Sequence, residues 1–181
     1  MVLGIDPSIN CTGLCISDDN NTIYILIVSK MTKKMKDFHH NRIRIMQYDK
    51  YDIKDLNYED KEKAKAYNIY NIVSVIDDVI NEYNIDKVVM EGVAYNATGT
   101  IIELAGLNFA IRNLLIKKGI EFTIATPTTI KKFAVANGGA DKDLMIYAWQ
   151  QLDQEMKNIK DIKIDDLADA YFMCQFGLHP N

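Results

Sequence analysis

The run Val2-Leu3-Gly4-Ile5 is apolar without interruption and stops at an acid, Asp6, followed by Pro7. A strand with one wet face alternates polar and apolar residues, whereas a strand covered on both faces does not. The chain therefore needs a sheet with helices above and below this segment. It also needs something to offset Asp6, because a carboxylate at the end of a buried strand is costly to leave uncompensated. Two later acidic features are candidates to share a cation with it. One is Glu91, which ends the apolar run Val88-Val89-Met90; the other is the pair Asp166 and Asp169.

Short turns follow the first run. Ser8-Ile9-Asn10 leads into Cys11 to Ser17, and Asp18-Asp19-Asn20-Asn21 leads into the β-branched and aromatic run Thr22 to Val28. Three strands joined this way predict an antiparallel meander. Residues 29–60 are polar, charged and poorly periodic, and read as a charged insertion or long connection with some helix. A helix is expected from about Glu62 to Tyr83, where Ile69, Ile72, Val73, Ile76 and Ile80 recur at helical spacing. Then come a strand from Asp86 to Glu91, a helix from Ile101 to Lys118 and a strand from Glu121 to Ala125. Pro127 opens a further helix, another runs from about Asp141 to Asn158, and the last spans about Asp165 to Phe176, closed by Gly177. The expected fold class is α/β: one domain over residues 1–181, with a mixed five-stranded sheet (a three-strand antiparallel meander plus parallel strands) and helices on both faces.

The helix 101–118 is apolar nearly all round, so it is expected to be buried on more than one side, against the sheet and against a second subunit of a homodimer. No apolar run approaches the roughly 20 residues of a membrane span. The chain also lacks a basic start with a cleavage site, so a cytoplasmic protein is expected, bacterial or of phage or viral origin in a host cell. Cys11, Cys15 and Cys174 have no metal-ligand spacing. The net charge of −4 argues mildly against a nucleic-acid partner, but that average hides a split. Lys30, Lys33, Lys34, Lys36, Arg42 and Arg44 face a single nearby acid, Asp37, and smaller basic groups lie at Lys131/Lys132 and Lys142.

Asp166 and Asp169 are three residues apart, so they project from one helix face, which continues through Ala170 and Met173. Two adjacent carboxylates repel, burial makes this worse, and a bound divalent cation reverses both penalties. Acids in a first helical turn also favour the helix dipole, which accounts for Asp165 and Asp166 but poorly for Asp169. All-oxygen ligands suit Mg²⁺, with Mn²⁺ as a substitute. Two such ions about 4 Å apart can activate a water and stabilise the leaving oxygen in phosphodiester hydrolysis.

Leu3-Gly4-Ile5-Asp6-Pro7 with Thr12-Gly13, then Val88-Val89-Met90-Glu91, then Asp166-Leu167-Ala168-Asp169-Ala170, resemble the RuvC family of Holliday junction resolvases. The resemblance implies a ribonuclease H-like fold and a homodimer that binds a four-way DNA junction and nicks two strands symmetrically with Mg²⁺, about two ions per site. It implies that Asp6, Glu91, Asp166 and Asp169 are catalytic metal ligands, that Lys142 is catalytic, and that Lys131 binds DNA. Lys132, Lys33, Lys34, Arg42 and Arg44 are further candidate DNA contacts. The family has an aromatic residue three positions after the glutamate. Ala94 stands there in this chain, and the neighbouring Tyr95 is the candidate to stack on a base. A nuclease for other branched DNA, such as forks or flaps, and a non-catalytic junction-binding protein are the alternatives.

Overall fold

The computed structural model describes residues 1–18, 20–93 and 101–179. Its centre is β1 (Val2–Asp6), flanked by antiparallel β2 (Cys11–Ser17) and by β5 (Lys87–Glu91), which runs parallel to it. β3 (Thr22–Val28) pairs antiparallel with β2, and β6 (Glu121–Ala125) pairs parallel with β5. The meander and the parallel strands lie where the hydrophobic patterning puts them.

Among the described residues the sheet has six strands, in the order β4-β3-β2-β1-β5-β6, one more than expected. The extra strand, β4 (Ile43–Gln47), comes from the segment read as a charged connection and pairs parallel with β3. It is an edge strand of mixed exposure carrying Arg44, and one row of ladder bonds suffices to hold it. Its polar composition concealed it. The same segment contributes a single helical turn, α1 (Lys33–Lys36), capped by the Thr32 side chain.

Residue alternation along β1 and β5 builds two cores. Leu3, Ile5, Val88 and Met90 point toward α2 (Tyr58–Tyr83) and α3 (Ile101–Lys118), where Ile72, Ile76, Leu107 and Ile111 cover them. Val2 and Val89 point to the other face, packed by α6 (Ile164–Leu178) with α4 (Pro127–Val135) and α5 (Lys142–Leu152). Helices thus cover both faces of the sheet. α6 runs through Gly177 instead of ending there. A Cβ at Gly177 would come within 2.8 Å of both Val2 and Val89, so this glycine serves close packing. α5 ends at Leu152, followed by a turn of 3₁₀ helix at Gln154–Met156.

A buried polar network ties the 29–42 segment to this second core. Arg42 donates to both carboxylate oxygens of Asp153, at 3.0 and 2.6 Å, and to the Thr22 carbonyl at 2.7 Å. The Tyr24 hydroxyl donates to Asp153 at 2.7 Å and accepts from the Trp149 indole at 3.0 Å.

Candidate active site

Every strand but β2 runs in one direction, so Asp6 and Glu91 emerge at the same edge of the sheet as the last residues of neighbouring parallel strands. Both occupy the alternation that faces α6, in step with Val2 and Val89. That helix brings Asp166 and Asp169 in its first two turns.

Two glycines let it come close enough. A Cβ on Gly4 would lie 2.1 Å from the Ala170 carbonyl oxygen, and one on Gly13 would lie 2.2 Å from that of Asp166. Gly13 is also the cross-strand partner of Asp6. Its missing side chain therefore places the helix carrying Asp166 directly over the end of β1.

The preceding loop is held just as firmly. The Thr12 hydroxyl accepts from the Ser8 amide at 3.1 Å and donates to the Ser8 carbonyl at 2.7 Å. Tyr48 donates to the Ile9 carbonyl at 2.8 Å. The Thr12-Gly13 pair of the sequence motif thus has two mechanical tasks: threonine clamps the loop after Asp6, and glycine admits α6.

Electrostatics mark the four acids as one cluster. Burial drives the Asp6 carboxyl well above the usual range, and the charges of Glu91, Asp169 and Asp166 push the same way. Burial and then Asp169 raise Glu91, while Asp6 and Lys131 pull it back. Burial raises Asp169 to about 6 despite the opposing charge of Lys142. Asp166 is raised by burial and eased by the Cys11 thiol beside it. Glu91, Lys131 and Asp169 line one crevice together with Ile130 and Met173. Among the described residues, no three His, Cys, Asp or Glu side chains lie close enough together to hold a metal ion as they stand. Glu91 and Asp169 share that crevice, and Asp6 is near enough to both and to Asp166 to feel their charges; mutually repelling oxygen donors of this kind are the type a hard divalent cation takes.

Lys142, at the first turn of α5, reaches Asp165 at 2.8 Å, and that hydrogen bond raises its pKa ahead of the charges of Asp166 and Asp169. In the sequence Asp165 reads only as a neighbour of the ligands. Burial would raise its carboxyl, but Lys142 holds it below the ordinary value, so it stays charged and tethers the lysine. Lys132 is exposed on the next position of α4, against the turn at Gly138.

The basic segment separates into two parts. Lys33 and Lys34 lie on α1, where Lys34 forms an ion pair with Asp161 shortly before α6. Arg42 and Arg44, expected as DNA contacts, both make ion pairs within the fold. Arg42 is consumed internally by Asp153 and Thr22, at the end of the sheet opposite Asp6. Arg44 is bonded to Glu82 at 2.6 Å and to the Tyr83 hydroxyl at 3.0 Å, at the C-terminal end of α2. Both arginines hold secondary structure together. Ala94 and Tyr95 lie outside the described residues.

Comparison with known proteins gives a consistent result. A family model described as crossover junction endodeoxyribonuclease RuvC matches residues 50–174. A RuvC of a Nitratiruptor species is 24% identical over 167 residues, covering 91% of this chain and 89% of that protein. A RuvC of Helicobacter hepaticus is 31% identical over 108 residues, 59% of this chain and 58% of its own. The Thermus thermophilus RuvC structure superposes with a TM-score of 0.60 at 16% identity, covering 96% of this chain and 90% of that one. The yeast mitochondrial Holliday junction resolvase Ydc2 gives 0.56 at 15% identity, covering 96% and 76%. These superpositions establish the ribonuclease H-like fold.

Proposed function

Since this chain belongs to the RuvC family of crossover junction endodeoxyribonucleases, we propose that it resolves four-way DNA junctions by paired symmetric nicks, acting as a homodimer. The observation that carries this reading is the convergence of Asp6, Glu91, Asp166 and Asp169 from three elements under a helix that glycines admit onto the sheet. A pure binding protein gains nothing from gathering negative charge where phosphates must approach. A solved complex of Thermus thermophilus RuvC with a Holliday junction substrate, 15% identical to this chain with a TM-score of 0.60, is in keeping with the substrate class.

In this reading the four carboxylates hold Mg²⁺, with Mn²⁺ able to substitute, at two ions per site. When bound, such ions supply the Lewis acidity that generates a hydroxide from water and stabilises the leaving oxygen. The chain's own residues do the rest. The clamped Ser8–Thr12 loop fixes Asp6. Lys131, beside Glu91 and Asp169, and Lys142, held by Asp165, place positive charge where a scissile phosphate gathers negative charge. Lys132 on α4 and Lys33 and Lys34 on α1 extend that charge toward DNA arms on either side.

Support for the dimer comes from α3. Leu107, Ile111 and Leu115 are buried, while Ile102, Phe109 and Ile116 stand 80%, 55% and 65% exposed at seven-residue intervals. That second apolar stripe matches a surface made to be covered by its own copy.

The test offers a labelled four-way junction, a Y-fork and a linear duplex to the purified protein, with and without Mg²⁺. Paired symmetric nicks in the junction alone, lost without metal, are the expected result. Equal cutting of fork and junction would make it a broader branched-DNA nuclease, and tight binding without cutting under any divalent ion would overturn the catalytic reading.

A further inference from the structure

β5 ends at Glu91, and the peptide unit that follows is held from two sides. Its amide, on Gly92, donates to the Ala125 carbonyl of β6 at 2.9 Å. The carbonyl and amide of one peptide point to opposite edges of a strand, so the Glu91 carbonyl faces β1. The pairing of β1 with β5 stops at Ile5 and Met90, one step short of it. The next donor of a parallel ladder would be the backbone nitrogen of residue 7, and Pro7 has no N–H to give. Left unpaired and away from water, a backbone carbonyl costs about as much as a lost hydrogen bond. Asn108 takes the place of the missing donor. Its side-chain amide reaches over from α3 and donates to the Glu91 carbonyl at 2.7 Å.

Asn108 is 1% exposed, on a helix whose other buried positions, Leu107, Ile111 and Leu115, are apolar. Among the described residues its Oδ1 has no hydrogen-bond partner. An amide buried with its oxygen unpaired destabilises a fold, so packing alone does not explain this residue, and the one bond it makes does.

We propose that Asn108 is a positioning residue for the reaction, fixing the end of β5 and thereby the placement of the Glu91 carboxylate beside Asp6. The inference rests on the divalent-cation reading of the acid cluster and adds to it a residue that touches none of the reacting atoms. Asp6 and Glu91 are the last residues of neighbouring strands, beyond the final paired step of the ladder between them. Their spacing therefore depends on what holds the Glu91 peptide: β6 from one side, through Gly92, and Asn108 from the other. Without Asn108 that peptide is free to turn about its bond to β6, and the carboxylate turns with it. Groups that orient a metal ligand without touching the metal change affinity or activity by about 10–100-fold when removed.

The test compares wild type with Asn108→Leu, which keeps the branching and loses the donor, and with the smaller Asn108→Ala. Thermal melting identifies the variant that folds as the parent does. Binding of Mn²⁺ without DNA, followed by the electron paramagnetic resonance signal of the free ion, reads metal affinity apart from cleavage. It should weaken by about tenfold or more in the folded variant. The Mg²⁺ concentration for half-maximal junction cleavage should rise by a similar factor, with junction affinity within a fewfold. Pro7→Ala, added to that variant, returns an N–H to the ladder and should restore most of the lost Mn²⁺ affinity. A folded variant that binds Mn²⁺ as wild type does overturns the proposal and leaves the nuclease reading standing. A loss that Pro7→Ala does not repair also overturns it. Wild-type protein that binds no Mn²⁺ and cuts no junction removes the divalent-cation reading, and this proposal with it.

Discussion

Asp169 carries the conflict between stability and function at a single residue. Burial holds its carboxyl at about 6, above the ordinary carboxylate range, against the pull of Lys142. The folded state therefore keeps a proton that the unfolded chain has released, and stability falls as pH rises from about 4 toward 6. Replacing the group by a neutral amide removes that penalty. In metal-free buffer at pH 7, Asp169→Asn should be more stable than wild type by about 1–3 kcal/mol. The gap should close as pH falls below about 4, where the Asp169 carboxyl is protonated in the folded and the unfolded chain alike. Added Mg²⁺ should also narrow it by stabilising the wild type alone. Denaturant titrations at three pH values measure this, and an Asn variant less stable than wild type at pH 7 without metal would contradict it. The four acids were legible in the sequence because each adjoins an apolar run or shares a helix face with one. The role of Asp165 was not, because its partner, Lys142, is 23 residues away and only the packing of α5 on α6 brings them together.

At the scale of elements, the approach of α6 to β1 and β2 is the feature on which the site depends. In Gly13→Ala the new methyl would meet the Asp166 carbonyl 2.2 Å away, so the helix must shift. Overpacking of this kind costs about 1–3 kcal/mol. Because the shift moves Asp166, cleavage should fall by about tenfold or more while junction affinity changes little. Gel-shift and single-turnover cleavage assays separate the two, and a folded Gly13→Ala protein cutting at the wild-type rate would refute this role. Arg42 makes the opposite case. Arg42→Ala leaves Asp153 buried with half its partners, a change that costs about 3–5 kcal/mol. It should lower the melting temperature and leave junction affinity of the folded protein unchanged. A loss of affinity without a loss of stability would return Arg42 to the DNA surface. The pairing of Arg42 was not legible, because a basic run reads as a solvated or DNA-facing surface. The partners of Arg42 come from β3 and from the connection after α5, and no local spacing announces them. β4 was hidden by the same composition, whereas β1, β2, β3, β5 and β6 announced themselves through apolar or β-branched runs.

For the whole molecule, the two-sided apolar character of α3 was evident in the sequence, and the fold shows how it divides: one side packs under the sheet and the other is exposed. Phe109, with Arg112 stacked 4.7 Å from its ring, lies at the middle of the exposed stripe. Phe109→Glu should give a monomer by sedimentation and convert paired nicks into single, uncoordinated ones. A wild-type protein already monomeric at micromolar concentration would exclude the dimer. No described helix is long and apolar enough to cross a membrane. The proposed activity depends on four carboxylates acting as one divalent-cation centre on branched DNA. The most direct test compares Mg²⁺-dependent cleavage of a four-way junction by wild type and by Asp6→Asn, Glu91→Gln, Asp166→Asn and Asp169→Asn, each first shown to bind the junction. Every amide variant should bind yet cut more slowly by about a thousandfold or more. Any one of them cutting at close to the wild-type rate would contradict the four-carboxylate centre.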